Sequence, residues 1–159
     1  MALTVQILLS MDRPDAAERT AKAMAAVDDD ATLSQLAGAF VALAQGGSKV
    51  TEAAYAFQEA GDKHGWSAKL HCAAAACHGA QGAWDDAERS LAEALACDGK
   101  DADVLASLVV TNLHLGRRGG AKLRAYLAQL KAVDPNHAFL QRAAAAETAF
   151  NAAAAAIAV

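Results

Sequence analysis

The feature that most constrains the fold is a helical unit that recurs along the chain. In residues 70–99 a short apolar helical pattern is followed by a Gln-Gly break and by a second, amphipathic pattern. Apolar or small residues of the second pattern stand three or four positions apart, which places them on one helix face. The residues that define the unit are Gly82, Trp84, Ala87, Leu91 and Ala94. One helical hairpin cannot bury its own apolar face, so the pattern predicts similar hairpins on either side.

Equivalent residues of the second helices form three columns, with steps of 34 or 36 residues between neighbours. The columns are Ala17, Ala53, Ala87 and Leu123, then Ala21, Phe57, Leu91 and Leu127, then Met24, Ala60, Ala94 and Leu130. The first helices agree less closely, and the best of them carries Leu33, Leu36, Ala37 and Phe40. This period is typical of tetratricopeptide repeats, which are about 34 residues long. The alternative is a set of unrelated alanine-rich helices that fall in phase by chance, and three agreeing columns argue against it.

The columns predict an all-α solenoid of tetratricopeptide-like hairpins. We expect residues 1–136 to hold four hairpins, the first of them incomplete, with Pro14 in the first turn of its second helix. We expect residues 137–159 to form a capping helix of the same domain, with Phe139, Leu140 and Phe150 as its larger apolar residues. A cap is expected because a repeat array exposes an apolar face at its end.

Composition narrows the class of protein. The chain has 159 residues, of which 55% are hydrophobic but only 5% aromatic, because alanine dominates. The formal net charge of -4 gives no basic surface for a phosphate backbone, and Arg117 and Arg118 form an isolated basic pair, so nucleic-acid binding is not expected. Three cysteines without metal-site spacing favour a reducing compartment. Neither a signal peptide nor a membrane span is expected, and the predicted location is the cytosol.

Two clusters suggest metal sites. His71, Cys72, Cys77 and His78 are residue types that bind zinc. On a helix, however, the two histidines stand roughly 10 Å apart along the axis while the cysteines point elsewhere, so one ion cannot collect them. The acidic run 28–30 lacks the spaced ligands of a calcium loop and is interpreted as a solvated connector. Sequence motifs for nucleophilic, nucleotide-binding or zinc-protease sites are also missing. We therefore expect no enzyme, no metal and no cofactor.

Short segments along the chain, and their order, closely resemble those of one family. This family is the epsilon subunit of coatomer, which is the coat of COPI vesicles. The matching segments are VQILL at 5–9, DATL at 30–33, QLA at 35–37, FQE at 57–59, DK at 62–63, AACH at 75–78, QG at 81–82, Trp84, DAE at 86–88, EAL at 93–95, HLG at 114–116, YL at 126–127, QLK at 129–131, His137 and Phe139. The resemblance implies a non-catalytic coat subunit whose repeats curl around the C-terminal region of the coatomer alpha subunit. It also implies a cytoplasmic protein that is peripheral on Golgi membranes and COPI-coated vesicles, acts in retrograde Golgi-to-ER and intra-Golgi transport, and contacts membrane only through the coat. The chain matches roughly the C-terminal half of the family.

The register of the central unit predicts which residues face the concave groove of the array. The candidate partner-binding residues are Lys69, Cys72, Ala76, Gly79, Ala106, Val110 and Leu113. These positions are mostly small or apolar, which suits an apolar segment that lies close to the helix backbones. The alternative is a generic tetratricopeptide adaptor, such as one that binds the acidic tail of a chaperone. A carboxylate clamp of that kind needs several basic groove residues, and only Lys69 is basic. An accessory domain of an enzyme remains a third class.

Overall fold

The computed structural model describes residues 1–157. In this range the chain forms nine helices and no strand, which confirms the all-α prediction. The helices are α1 (Ala2–Ser10), α2 (Pro14–Ala25), α3 (Thr32–Gln45), α4 (Lys49–His64), α5 (Ala68–Ala80), α6 (Trp84–Cys97), α7 (Ala102–His114), α8 (Ala121–Val133) and α9 (Ala138–Ile157). Consecutive helices pack as the hairpins α1/α2, α3/α4, α5/α6 and α7/α8, and each hairpin also contacts the next.

Local signals set the helix ends. Pro14 occupies the first turn of α2, as predicted. The Ser67 hydroxyl accepts a hydrogen bond from the Leu70 N–H at the start of α5, and the Asp101 carboxylate accepts from the N–H groups of Asp103 and Val104 at the start of α7. Gly82, with φ of 78°, forms the turn between α5 and α6. The Ser67 and Asp101 caps thus fix where the first helices of the third and fourth hairpins begin.

The columns of the second helices lie in the core. Every residue of the three columns is buried except Leu127, which is half-buried. The register of the first helices is looser, since Leu33 is 63% exposed whereas Ala37 is buried. Small residues recur in the columns because they let paired helices approach closely.

Within residues 1–157, four buried clusters follow one another along the array. The first joins α1, α2 and α3, the second joins α3, α4 and α5, and the third joins α5, α6 and α7. The fourth joins α7 and α8, with Phe139 and Leu140 of α9 packed against it. Each cluster is therefore built from neighbouring helices.

Helix α9 packs against the array near its first turn. Phe139 and Leu140 are half-buried there, whereas Phe150 is 71% exposed and α9 has no buried residue. The expected cover over the last apolar face is thus limited to these contacts, and a capping role for the rest of the helix stays a prediction. The predicted end of this segment, residues 158–159, lies outside the described residues. Over residues 1–157, no helix has both the length and the apolar character needed to cross a bilayer.

Candidate partner-binding cleft

A cleft opens between α5 and α7, the first helices of the third and fourth hairpins. Its volume is about 460 Å³, within the range of about 300 to 1,000 Å³ that is usual for binding pockets. The lining residues are Ala75, Ala76, Gly79, Ala80, Trp84, Leu91, Asp103, Ala106, Ser107, Val110, Thr111 and His137. Small and apolar side chains form most of the wall. The cleft can therefore accept apolar side chains of a partner segment.

Four of the seven predicted groove residues line this cleft, namely Ala76, Gly79, Ala106 and Val110. Ala76 is exposed and Val110 half-exposed, but Ala106 is buried and offers a partner little surface. The other three predicted residues lie outside the cleft wall. Leu113 is 39% exposed and continues the helix face of Ala106 and Val110. Part of the predicted groove therefore lies in one cleft. The role of these residues in binding stays a prediction.

Gly79 has an intramolecular role that its predicted place in the groove did not indicate. A Cβ at this position would lie 2.9 Å from Cζ3 of Trp84, closer than real Cβ contacts. The indole of Trp84 also stacks on the ring of His114, with centroids 3.8 Å apart and planes 3° from parallel. Trp84 follows the Gly82 turn, and its half-buried ring forms one end of the cleft. The absence of a side chain at Gly79 accommodates this ring.

Cys72 is half-buried beside the cleft. Its Sγ lies 3.7 Å from the Ser107 hydroxyl, and burial raises the pKa of the thiol above its ordinary value. Cys72 therefore stays a neutral thiol near neutral pH and contributes packing.

The predicted packing residues of the central unit form the wall behind the cleft. Ala87 and Leu91 are each 1% exposed, and Ala94 is fully buried. They share a cluster with Ala75 of α5 and with residues of α7. The residues that shape the repeat thus also hold α5 and α7 in place on either side of the opening.

A ladder of polar residues closes the other end of the cleft. Lys69 Nζ lies 3.0 Å from Asp101 Oδ2 and 2.9 Å from Asp103 Oδ2. His137 Nε2 lies 3.2 Å from Asp103 Oδ1, and His137 Nδ1 accepts a hydrogen bond from the Phe139 N–H. Because Nδ1 is an acceptor, Nε2 carries the proton that is donated to Asp103. We call Lys69, Asp103 and His137 the polar ladder.

The ladder fixes the charge states of its members. The hydrogen bond from Lys69, together with that from His137, lowers the pKa of Asp103 below its ordinary value. The hydrogen bond to Asp103 raises the pKa of Lys69. Asp103 is therefore ionised and Lys69 protonated near neutral pH. Lys69, the one predicted basic groove residue, is already paired with two carboxylates.

The ladder was not predicted from the sequence, although the repeat period contained the signal. Lys69 and Asp103 are 34 residues apart, and so are Asp103 and His137. Residues one period apart occupy equivalent places in successive repeats, so their side chains can meet across the groove. His137 therefore occupies the position that is equivalent to the start of the first helix in a further repeat.

The residues suspected of binding zinc are dispersed. The ring of His71 stacks on Trp66 with centroids 4.7 Å apart. Cys77 is fully buried, and burial raises the pKa of its thiol to about 11, which disfavours the thiolate that a metal needs. Within the part of the chain that the structure describes, no three His, Cys, Asp or Glu side chains are grouped to hold a metal ion.

The family model and the relatives that match this chain all point to one family. The family model described as coatomer epsilon subunit matches residues 1–158. The chain is 43% identical over 149 residues to coatomer subunit epsilon-1 of Oryza sativa subsp. japonica and 42% identical over 149 residues to coatomer subunit epsilon-1 of Arabidopsis thaliana, covering 94% of this chain and 50% of each relative.

A more distant relative has the same subunit name. Coatomer subunit epsilon of Caenorhabditis elegans is 36% identical over 136 residues, covering 86% of this chain and 46% of that protein. The chain spans about half the length of the curated relatives it matches. These matches confirm the resemblance and agree with the expectation of a non-enzyme, since they are to a coat subunit. The chain belongs to the coatomer epsilon subunit family.

Proposed function

We propose that the chain is a structural, non-catalytic subunit of the COPI coat and that its cleft binds the C-terminal region of the coatomer alpha subunit. Family membership supports the place in the coat. In this proposal the protein acts in retrograde transport from the Golgi to the endoplasmic reticulum and within the Golgi. It works in the cytoplasm and reaches Golgi membranes and COPI-coated vesicles only as part of the coat.

The observation that carries the partner site is the apolar cleft between α5 and α7. A partner segment that enters it removes apolar surface of both molecules from water, at about 25 cal/mol per Å². Ala76 and Ala80 are exposed on the α5 side, and such small side chains allow a close approach to the helix backbone. Size complementarity, more than charge, therefore sets how deeply a segment enters.

The alternative adaptor function receives less support. A clamp for an acidic chaperone tail needs free cations, and Lys69 is held by Asp101 and Asp103. The described residues that line the cleft include neither lysine nor arginine. An acidic tail would therefore meet a carboxylate, and we place this function second.

The test is calorimetric titration of the chain with the C-terminal region of the coatomer alpha subunit. Ala76→Trp fills the cleft from an exposed position, so we expect binding to weaken at least tenfold, which corresponds to about 1.4 kcal/mol. The matched control is Ala92→Trp, an exposed alanine of α6 outside the cleft, which should bind like the wild type. Melting curves should show that both variants are folded.

Two further variants test the edge of the cleft and its neighbouring cation. Leu113→Asp should weaken binding only a few-fold, because Leu113 lies beyond the cleft wall. Lys69→Ala should change affinity little, since a partly exposed ion pair contributes about 1 kcal/mol or less. The proposal fails if the wild-type chain does not bind the alpha region, or if Ala76→Trp and Ala92→Trp bind equally well. Loss of binding in Lys69→Ala alone would instead favour the adaptor with an electrostatic clamp.

A further inference from the structure

The cleft has an unbalanced negative charge at one end. Lys69 contributes one positive charge, whereas Asp101 and Asp103 contribute two negative charges. His137 adds no charge in the arrangement described, because its Nδ1 accepts the Phe139 N–H and its Nε2 donates to Asp103. Together, Lys69, Asp101 and Asp103 at this end of the cleft therefore carry a net charge of about one negative unit.

The two carboxylates differ in their availability to a partner. The side chain of Asp101 is only 9% exposed, and its oxygens already accept from Lys69 and from two N–H groups at the start of α7. The side chain of Asp103 is 64% exposed and lines the cleft. A carboxylate has about four acceptor sites, and Lys69 and His137 use two of those on Asp103. Asp103 can therefore accept a further donor from outside the chain.

We infer that the cleft takes a partner segment in which an apolar stretch is directly adjacent to a lysine or arginine, with the cation at Asp103. This inference rests on the proposed function and specifies the chemistry of the segment that it requires. The apolar stretch lies along Ala76 and Val110 toward the indole of Trp84. Among the described residues of the cleft wall, Asp103 is the one carboxylate. The charge thus orients the segment, and the apolar wall supplies the contact area.

Charge at a partly exposed rim acts mainly on association rate and on salt dependence. An attraction of this kind is screened within about 10 Å at 0.1 M salt and within about 3 Å at 1 M. The apolar contribution has no such dependence on salt. Affinity measured at two salt concentrations can therefore separate the two contributions.

The first experiment titrates the C-terminal region of the coatomer alpha subunit into Asp103→Asn at low salt and at high salt. We expect Asp103→Asn to bind about two- to fivefold more weakly at low salt, and this difference to vanish at high salt. The matched control is Asp29→Asn, an exposed aspartate in the connection between α2 and α3, which should bind like the wild type. Equal affinities of these two variants at low salt would overturn the inference.

A second pair of variants guards against an indirect effect of Asp103→Asn on Lys69 and His137. Ala76→Glu and Ala76→Lys place opposite charges at one exposed position of the cleft without replacing a ladder residue. Both add bulk, so the inference predicts that Ala76→Glu binds at least twofold more tightly than Ala76→Lys at low salt. Equal or reversed affinities would overturn it. If the wild type does not bind the alpha region at all, the proposed function itself is wrong and the inference falls with it.

Discussion

Replacing Gly61 by alanine should destabilise the array, although the same change in a helix usually stabilises it. Gly61 is buried in α4, and a Cβ at this position would lie 2.4, 2.7 and 2.8 Å from three ring atoms of Trp66. Carbon atoms prefer separations of about 3.5 to 4.0 Å, so the indole must move by more than about 1 Å. That movement breaks its stack on His71, whose centroid is 4.7 Å away.

The magnitude follows from two opposing terms. Alanine favours a helix interior over glycine by about 1 kcal/mol. Overpacking of a well-packed site costs about 1 to 3 kcal/mol. Because three ring atoms are affected, we expect the upper part of that range and a net loss of about 1 to 2 kcal/mol. The matched control is Gly38→Ala in α3, where an added Cβ meets nothing within 4 Å, and this variant should gain about 0.5 to 1 kcal/mol.

Thermal and urea unfolding followed by circular dichroism would measure this difference. The two variants should differ by about 2 kcal/mol, or about 4 to 8 °C in Tm for a chain of this size. In a Trp66→Ala background the clash is removed, and Gly61→Ala should then be neutral or stabilising. The reasoning is refuted if Gly61→Ala stabilises the wild-type chain as much as Gly38→Ala does, because the indole would then not lie over Gly61.

Other predictions concern packing and charge. Ala87→Leu and Ala94→Leu should each lower stability by about 1 to 3 kcal/mol, since both alanines are buried between helices, and an unchanged Tm in both would show that the repeat register is wrong. Trp84→Ala should cost less than the roughly 3 to 5 kcal/mol of a fully buried tryptophan, because the ring is half-buried on His114, and urea unfolding would measure the loss. The pKa of Asp103 is lowered in the folded chain, so its ionised form stabilises the fold above about pH 4 and this contribution is lost as the pH falls further. Stability of Asp103→Asn should therefore approach that of the wild type in acid, and a difference that persists unchanged at pH 2 would contradict this assignment.

The second helices could be predicted from sequence because their columns depend on spacing alone. Ala17, Ala53 and Ala87 face partner helices in any array with this period, and all three are buried. The first helices were harder to place because the connections between hairpins differ in length. Leu33 was expected to belong to the apolar pattern and is instead exposed.

The candidate site could be predicted only in part. Small residues such as Ala76 were assigned to the groove by register, and four of the seven assigned residues line one cleft. The roles of Trp84 and Lys69 depend on contacts with His114 and Asp103 of the next hairpin. Such contacts are set by how successive hairpins stack, which the pattern within one helix does not specify.

The division of the core into four clusters, each built from neighbouring helices, has a consequence for cooperativity. Stability in such an array is approximately a sum over units and over the junctions between neighbours, as in a one-dimensional chain of coupled elements. The contacts that bury the core are also local in sequence, which favours rapid folding. A segment that spans the cleft contacts both α5 and α7. It therefore stabilises the junction that Ala75, Leu91 and Val104 already form. Amide hydrogen exchange should therefore slow most in the third and fourth hairpins when the cleft is occupied, while α1 and α2 keep their own rate of opening.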